Sequence, residues 1–188
     1  MSLIENIKIT IGKRMLRKET EGIQRNRNLF NLTTTKTAGI LYEASDVEDY
    51  ELIKKYVGYL REYGIKVKTI GYFSKKEIPE FTFSKLDYEF FTKKELNWYL
   101  KPMTLFTDQF VVQDFDLLID LNIHDHFPLK YLAAASAAKF KIGKFSDDNK
   151  VTHDMMIEIQ TDKTLKYFLR HIDTYLQMIN KNLQTQNS

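Results

Sequence analysis

The chain of 188 residues contains no cysteine. Disulfides, thiolate metal ligands, iron–sulfur clusters and cysteine nucleophiles are therefore excluded together. Long hydrophobic runs are also missing, since no segment approaches the roughly 20 apolar residues that a membrane helix needs. The N-terminus, with Glu5 and Asn6 so early, lacks the basic start and apolar middle of a secretory signal. We therefore expect a cytoplasmic protein that makes no membrane contact.

Sequence motifs that identify a cofactor or a reaction are absent as well. The segment Glu43-Ala44-Ser45-Asp46 occupies the place where a dinucleotide-binding fold would have G-x-G-x-x-G, and its acidic residues would repel a phosphate. No P-loop sequence G-x-x-x-x-G-K occurs, and the missing G-x-S-x-G argues against an α/β-hydrolase. We expect no cofactor.

The net charge of +3 is unevenly distributed. Residues 1–36 hold eight Lys or Arg against three Glu, a net +5, which leaves 20 basic and 22 acidic residues in the rest of the chain. Phosphate contacts by this arm would be independent of nucleic-acid sequence. However, the arm has few aromatic residues beyond Phe30 that could stack on bases. A run of charged residues is also usually a solvated face, so we do not favour a nucleic-acid partner. The candidate contacts are Lys13, Arg14, Arg17, Lys18, Arg25 and Arg27.

Apolar periodicity predicts the elements at the start of the chain. Ile4, Ile7 and Ile11 recur at three- and four-residue steps, which predicts a helix from Leu3 to about Gly22. The following residues, 24–36, show no periodicity and indicate a polar connection. The predicted organisation is therefore an N-terminal helix and linker over residues 1–36, an α/β domain over 37–183 and a disordered tail over 184–188.

The α/β domain begins with a strand–helix–strand pattern. The apolar run Thr37–Tyr42 precedes Ser45-Asp46-Val47-Glu48, a capping box that predicts a helix ending near Gly64. The alternation of Lys66–Phe73 predicts the second strand. Strand, helix and strand in this order form a βαβ unit with parallel strands.

The middle of the chain contains the predicted centre of the sheet. Phe115–Leu121 is almost continuously apolar, as is typical of a strand covered on both faces of a parallel sheet. Pro128 fits the first turn of the next helix, and Phe140–Phe145 reads as a neighbouring strand. Before this centre, Leu86–Phe91 is predicted as a strand, and the capping-box spacing Thr92 to Glu95 predicts a helix that stops near Lys101 because of Pro102.

The C-terminal part contains one more strand and one more helix. His153–Gln160 alternates apolar and polar residues, which predicts a half-exposed antiparallel edge strand. Residues from Asp162 to Leu183 carry a long apolar seam that either covers the sheet or forms a homodimer interface. The predicted fold class is a three-layer, Rossmann-like α/β domain with a mostly parallel sheet of five or six strands and an antiparallel edge strand.

Candidate functional residues follow from the position of the loops, because ligands of open α/β sheets bind beyond the carboxyl ends of the strands. The candidate ligand-binding residues are Glu43, Ser45, Asp46, Asn122, His124, Asp125, His126 and Lys144. The candidate catalytic residues are His124, His126, Asp120 and Glu43.

The turn Asn122–His126 is the densest cluster of titratable groups. His124 and His126 could ligate a metal with Asp120 or Asp125, but a further ligand in a known position is not available, so we predict no metal. The favoured interpretation is a solvated polar turn that caps the following helix. The alternative is acid or base catalysis by a histidine with Glu43 or Asp46 converging on it. For Asp120 we favour the acceptance of backbone N–H groups over ribose or metal binding.

Two resemblances rest on specific stretches. Ala38–Ala44, Lys66–Phe73, Asn97-Trp98 with Pro102, Phe115–Leu121 and Ala134–Gly143 resemble an uncharacterised bacterial family of conserved hypothetical proteins, over residues 1 to about 180. That resemblance implies a fold and no activity. Asp116–Leu121 with Leu132-Ala133-Ala134 and Ala138–Gly143 is similar to the N-terminal domain of heptosyltransferase-type GT-B glycosyltransferases. Such enzymes bind the sugar nucleotide mainly in a second domain, for which this chain has no room, so only a shared half-fold is implied.

Taken together, these patterns do not identify a function. A non-catalytic role in binding or assembly is favoured, because the loops hold no recognised catalytic constellation and the terminal helices offer apolar seams, with a homodimer through the C-terminal helix as one form. The first alternative is a small-molecule-binding or enzymatic domain with its pocket at the carboxyl strand ends. The second is nucleic-acid binding by the basic arm.

Overall fold

The protein is built around a six-stranded parallel sheet. The computed structural model describes residues 3–44, 46–75, 88–159 and 164–185, with the side chains of residues 180–185 left out of the description. The strands are β1 (Thr37–Glu43), β2 (Lys66–Phe73), β3 (Tyr88–Thr92), β4 (Leu117–Leu121), β5 (Phe140–Lys144) and β6 (Met155–Ile157), in the spatial order β3-β2-β1-β4-β5-β6. The predicted α/β class and a predominantly parallel sheet are confirmed.

Helices flank the sheet. They are α1 (Leu3–Thr20), α2 (Val47–Glu62), α3 (Leu105–Val112), α4 (Phe127–Ala135) and α5 (Leu165–Thr185). One cluster of buried apolar side chains joins the sheet to α2 and α5, and a second cluster joins it to α3 and α4. Among the described residues, no helix combines the length and the apolar character that crossing a bilayer requires.

The order in which strands are added to the sheet reverses between β1 and β4. From β1 the chain moves outward to β2 and β3, and then returns to place β4 on the other side of β1. Residues Leu117–Leu121 are all buried, which confirms that this strand lies at the centre of the sheet. Tyr42 of β1 lies opposite Leu121 of β4, so the chain segments that follow these two strands start side by side.

The predicted antiparallel edge strand is wrong. β6 does lie at the edge, but it pairs parallel to β5, with Met155 opposite Ile142, and it covers only Met155–Ile157. The chain passes through a 3₁₀ turn at Asp147–Asn149 and returns to the starting end of β5 before β6 begins. Alternation of apolar and polar residues indicates that one face is exposed, but it carries no information about strand direction.

The segment between β3 and β4 differs from its prediction. The capping box of Thr92 and Glu95 forms, but only a 3₁₀ turn at Lys93–Glu95 follows it, so the predicted helix to Lys101 is wrong. The side chain of Asn97 accepts hydrogen bonds from the backbone of Tyr99 and Lys101 at 3.1 and 3.0 Å and holds a tight turn instead. The helix α3, with Thr104 as its N-cap, lies in a stretch for which no element was predicted.

The terminal helices both pack on the body. Helix α1 confirms the predicted N-terminal helix and lies against α4 through Gly12, where a Cβ atom would come within 2.5 Å of the Phe127 ring. The apolar seam of α5, including Phe168, Ile172 and Leu176, is buried against the sheet. Of the two predicted uses of this seam, covering the sheet is therefore the one observed, and those side chains are not accessible to a second chain.

Candidate functional site

A carboxylate and two imidazoles meet at the carboxyl edge of the sheet. Glu43 ends β1, while His124 and His126 lie in the turn after β4, and the adjacency of the two strands brings them together. Oε2 of Glu43 lies 2.6 Å from Nδ1 of His124, and Oε1 lies 2.8 Å from Nε2 of His126. One donor atom from each of the three side chains lies within 4.8 Å of the others. We call these three residues the Glu–His–His cluster.

The two histidines contact Glu43 differently. Nδ1 of His124 makes a directed hydrogen bond, and 62% of this side chain is exposed. Nε2 of His126 is buried and lies close to Oε1, but it forms no hydrogen bond with this or any other atom in the described part of the chain. The short distance is therefore a close contact and not a hydrogen bond.

The turn that carries the histidines is fixed by Asn122. Its side-chain amide donates to the backbone carbonyl of His126 at 2.9 Å, and its carbonyl accepts from the backbone N–H of His126 at 2.8 Å. His126 is the N-cap residue of α4, yet its side chain makes no capping hydrogen bond to the described residues. The imidazole is therefore directed to Glu43 and is not used to start the helix.

Two lysines brace the middle of the same turn. Asp125 has a φ of 60°, in the left-handed region that non-glycine residues rarely adopt. Its carboxylate binds Lys130 at 3.0 Å and also binds Lys144, which in addition donates to the carbonyl of Ile123 at 2.6 Å. Burial opposes ionisation of Asp125, but the two ammonium groups outweigh it and lower its pKa below the ordinary value. The turn is thus held in a strained conformation by charged contacts on its outer side.

The charge state of the cluster follows from its surroundings. Burial opposes ionisation of Glu43, but the close contact with His126, followed by the hydrogen bond with His124, lowers the pKa of Glu43 below its ordinary value. The ring of Tyr72 lies edge-on to His126 with centroids 5.4 Å apart. Burial, together with the negative charges of Glu43 and Glu5, raises the pKa of Tyr72 to about 12. The cluster therefore presents a carboxylate beside a protonated phenol.

The cluster borders a cleft of about 730 Å³. The cleft lies between the first half of α1, the end of β2, the loop after the 3₁₀ turn Lys93–Glu95 and the start of α4. Its lining residues are Ile4, Glu5, Lys8, Ile9, Tyr72, Ser74, Lys93, Leu96, Asn97, Trp98, Leu100, His124, Asp125, His126, Phe127 and Pro128. His124 and Asp125 also line a second cavity of about 430 Å³ that reaches Lys144 and Glu158.

The other predicted site residues have structural contacts. Asp46 is the N-cap of α2 and accepts from the backbone N–H of Asp49 at 2.8 Å, so it does not converge on the histidines. Asn122, Asp125 and Lys144 shape the turn. Asp120 accepts the backbone N–H of Asn122 at 3.1 Å, which is the kind of contact we favoured for it. Ser45 lies outside the described residues.

Sequence reasoning missed a second carboxylate–histidine pair. Nε2 of His153 lies 3.0 Å from Oδ2 of Asp120, with side chains only 1% and 3% exposed. It also missed the walls of the cleft, including Trp98 and the first half of α1. No local pattern reveals these positions, because His153 precedes an edge strand and α1 reaches the cleft only by packing on α4.

Half of the basic candidates for nucleic-acid contact take part in ion pairs of the fold. Lys13 binds Asp148 at 2.8 Å, and Arg27 lies 3.6 Å from Asp154. Arg25 also binds Asp154 and donates to the carbonyl of Ala138 at 2.7 Å, with its side chain almost fully buried. The remaining candidates, Arg14, Arg17 and Lys18, are exposed on α1.

Comparison with known proteins gives one match. No curated protein and no solved structure matches the chain. The local similarity to GT-B glycosyltransferases therefore has no support beyond the short stretches that suggested it. A family of unknown function matches residues 8–179, which include the whole Glu–His–His cluster, and this confirms the predicted resemblance to an uncharacterised family. The chain therefore belongs to the family of unknown function DUF6913.

Proposed function

We propose that the protein binds a small organic molecule with an anionic group in the cleft beside the Glu–His–His cluster. The single observation that carries this proposal is the position of the cleft. Its lining includes Tyr72 and Ser74 at the carboxyl end of β2 and His124 and His126 after β4, the two strands on either side of β1, where the strand order reverses. In Rossmann-like folds this switch point is the usual ligand site. The strand order and the helices on both faces support a Rossmann-like, three-layer description of this domain.

The size and lining of the cleft support a small-molecule ligand. About 730 Å³ lies within the range of roughly 300 to 1,000 Å³ that is typical of such sites. The lining combines polar side chains, among them His124, His126 and Tyr72, with apolar ones, of which Ile4 and Trp98 are exposed. A ligand with a polar head and an apolar part would match both regions.

The charges of the cleft favour an anionic head group. Lys8 and Lys93 line it, and the amino end of α4, where the helix dipole is positive, opens into it. Three carboxylates lie at or beside the lining. That of Asp125 is bound by two lysines, that of Glu43 contacts both histidines of the cluster, and the third belongs to Glu5. A carboxylate or phosphate group would be attracted to this end of the cleft.

The structure gives little support to the assembly role that was predicted from the apolar seams of the terminal helices. Its main support was the seam of α5, and the described part of that seam packs on the sheet. A homodimer remains a prediction without a structural contact to support it. Ligand binding uses the cleft as it stands and requires no second chain.

The only tryptophan of the chain provides the test. Trp98 lines the cleft and is 61% exposed, so its fluorescence will report a bound ligand directly. We expect a saturable change of emission with at least one member of a panel of inorganic phosphate, sugar phosphates, nucleoside monophosphates and dicarboxylates. Lys8→Glu should weaken binding about tenfold, because a hydrogen bond to a charged group contributes on the order of 1.5 kcal/mol.

The control for Lys8→Glu is Lys55→Glu, which makes the same charge change on α2 away from the cleft. Its affinity should stay within about twofold of the parent protein, because Lys55 does not line the cleft and salt screens charges on the exposed surface. A panel without any saturable response, or equal weakening by both variants, would remove the proposal.

A further inference from the structure

We propose that Glu43, His124 and His126 form a binding site for a divalent transition-metal cation of the zinc class, with one coordination position open to the cleft. This inference rests on the proposed function in one respect, because the open position is where the anionic head group would bind. The metal itself requires only the three side chains.

The donor set is the first argument. Two imidazole nitrogens and one carboxylate oxygen suit zinc, which binds these groups at about 2.0–2.2 Å and keeps a fourth position for water or substrate in catalytic sites. Imidazole also suits cobalt, nickel and copper, whereas calcium and magnesium prefer a shell of oxygen donors. His124 offers Nδ1 and His126 offers Nε2, and either nitrogen of a neutral imidazole can bind a metal.

The distances are close to those of a tetrahedral site. Metal–ligand bonds of about 2.0–2.2 Å at tetrahedral angles separate neighbouring donor atoms by about 3.3 Å. The observed separations from Glu43 are 2.6 Å to His124 and 2.8 Å to His126, and the donor atoms of the three residues lie within 4.8 Å of each other. Side-chain rotations that move the donor atoms by about 1 Å would therefore bring them to the separations of a tetrahedral cation site.

The Glu–His–His cluster differs from an ordinary hydrogen-bonded pair because one of its nitrogen atoms lacks a hydrogen bond. Nε2 of His126 is buried and close to Glu43, but it is not aligned for a hydrogen bond to any described atom. A buried nitrogen without a hydrogen-bond partner destabilises the fold. A cation between Nε2 and the carboxylate would satisfy both atoms at once.

The surroundings hold the ligands in place and leave the site open on one side. Asn122 fixes the backbone of His126 from both directions, and the two lysines bound to Asp125 hold the residue between the histidines in its left-handed conformation. Such outer contacts are what metal sites use to orient their ligands. His124 is largely exposed on the cleft side, so an anion or water could reach the metal there.

The test uses the full chain without an affinity tag, after treatment with EDTA and removal of the chelator. Zn²⁺ should bind by calorimetry with a stoichiometry of one, and Co²⁺ should give the visible absorption of a four- or five-coordinate site. Glu43→Gln, His124→Ala and His126→Ala should each weaken Zn²⁺ binding at least about 100-fold, because loss of even an outer-shell contact costs 10- to 100-fold. Circular dichroism of each metal-free variant would verify that it is folded.

The matched control is His171→Ala, which removes a histidine of α5 whose ring packs on Tyr167, away from the cluster. It should bind Zn²⁺ like the parent protein. Absence of Zn²⁺ and Co²⁺ binding by the folded parent, or retention of binding by all three cluster variants, would overturn the metal proposal.

The Trp98 titration separates this proposal from the proposed function. Saturable ligand binding by metal-free protein that takes up neither cation would overturn the metal site and preserve the ligand site. Stoichiometric Zn²⁺ binding with no response to the anion panel in either metal state would preserve the metal site and overturn the ligand site.

Discussion

The molecule contains two carboxylate–histidine groups that lie close together and have opposite environments. Asp120 and His153 are sealed within the fold, with both oxygens of the carboxylate in use, one to Nε2 of His153 and one to the backbone of Asn122. Glu43 and its two histidines lie at the strand ends, and His124 is largely exposed to a cleft. The same chemical groups therefore serve packing in one place and remain accessible to a ligand in the other.

The sealed pair depends on a glycine. Gly143 of β5 lies beside His153, and a Cβ atom there would come within 2.6 Å of Nε2. Nδ1 of His153 is buried and has no hydrogen-bond partner among the described residues, so we assign the proton to Nε2, which donates to Asp120. An imidazole enclosed in this way cannot reach a ligand.

The two groups are nevertheless connected. Asp120 accepts the backbone N–H of Asn122, and the side chain of Asn122 fixes the backbone of His126. The buried pair thus supports the turn that carries the accessible histidines. The contrast between the groups predicts that changes in the sealed pair mainly affect stability, whereas changes in the Glu–His–His cluster mainly affect binding.

The largest expected effect is that of Asp120→Ala. It leaves His153 and the N–H of Asn122 buried without an acceptor, so the free energy of unfolding should fall by about 3 kcal/mol. Glu43→Ala, at the Glu–His–His cluster, should cost less, about 1 kcal/mol, because its hydrogen-bond partner His124 is largely exposed and can bond to water instead. Urea denaturation of both variants in the presence of EDTA measures the difference. Equal losses of stability would contradict the division between a structural pair and a ligand site.

A smaller loss is expected from Gly143→Ala. The added methyl group would displace His153 from its position on the sheet, and overpacking of this kind typically costs about 1–3 kcal/mol. The control is Gly58→Ala in the middle of α2, where no described atom lies within 4 Å of the new Cβ. That variant should be stabilised by about 0.5–1 kcal/mol through helix propensity. Thermal unfolding of both proteins measures the effects, and a neutral Gly143→Ala would show that His153 has room to move.

The smallest effect concerns a third carboxylate, at the opposite end of β4. Asp116 accepts from the backbone N–H groups of Lys36 and Thr37 at 2.9 and 3.1 Å and binds Lys139 at 3.0 Å. Burial opposes its ionisation, but the contacts from Lys36, Lys139 and Thr37 outweigh burial and lower the pKa of Asp116 below 3.8. The folded state thus binds this proton less readily than the unfolded state does.

The sign of the pH dependence follows from that depressed pKa. The contribution of Asp116 to stability is present above the unfolded pKa of 3.8 and is lost as the pH falls below it through the folded pKa. Asp116→Asn should reduce the free energy of unfolding by about 1 kcal/mol at pH 7 and should lessen its decline on acidification. Denaturation curves from pH 7 down to pH 3 would test this, and an unchanged acid dependence would count against it.

Sequence patterns predicted the elements whose properties are local. The double-sided burial of β4 follows from the continuous apolar run, and α1 and β2 follow from their periodicities. The direction of β6 was wrong because alternation reports exposure alone. The helix after Thr92 was wrong because the side chain of Asn97 competes for the backbone hydrogen bonds that a helix would need.

The candidate site was predicted in part. The turn Asn122–His126 and Glu43 were identified because they follow strands, and the convergence of Glu43 on a histidine was one of the alternatives. Asp46 was an equal candidate for that convergence, and local pattern does not distinguish a carboxylate that caps its own helix from one that faces another strand. The cleft itself was not predicted, since its walls come from α1, the loop at Trp98 and α4.

The sequence by itself determined the composition of the elements: which segments are apolar on one or both faces, which residues cap helices, and which polar side chains follow the strands. These properties depend on neighbours along the chain and on burial of apolar surface. Only the tertiary structure decided that β1 lies beside β4, which brings Glu43 to histidines 81 and 83 residues away. Such contacts depend on the order of strands in the sheet, and a free energy of packing shared by the whole domain selects that order.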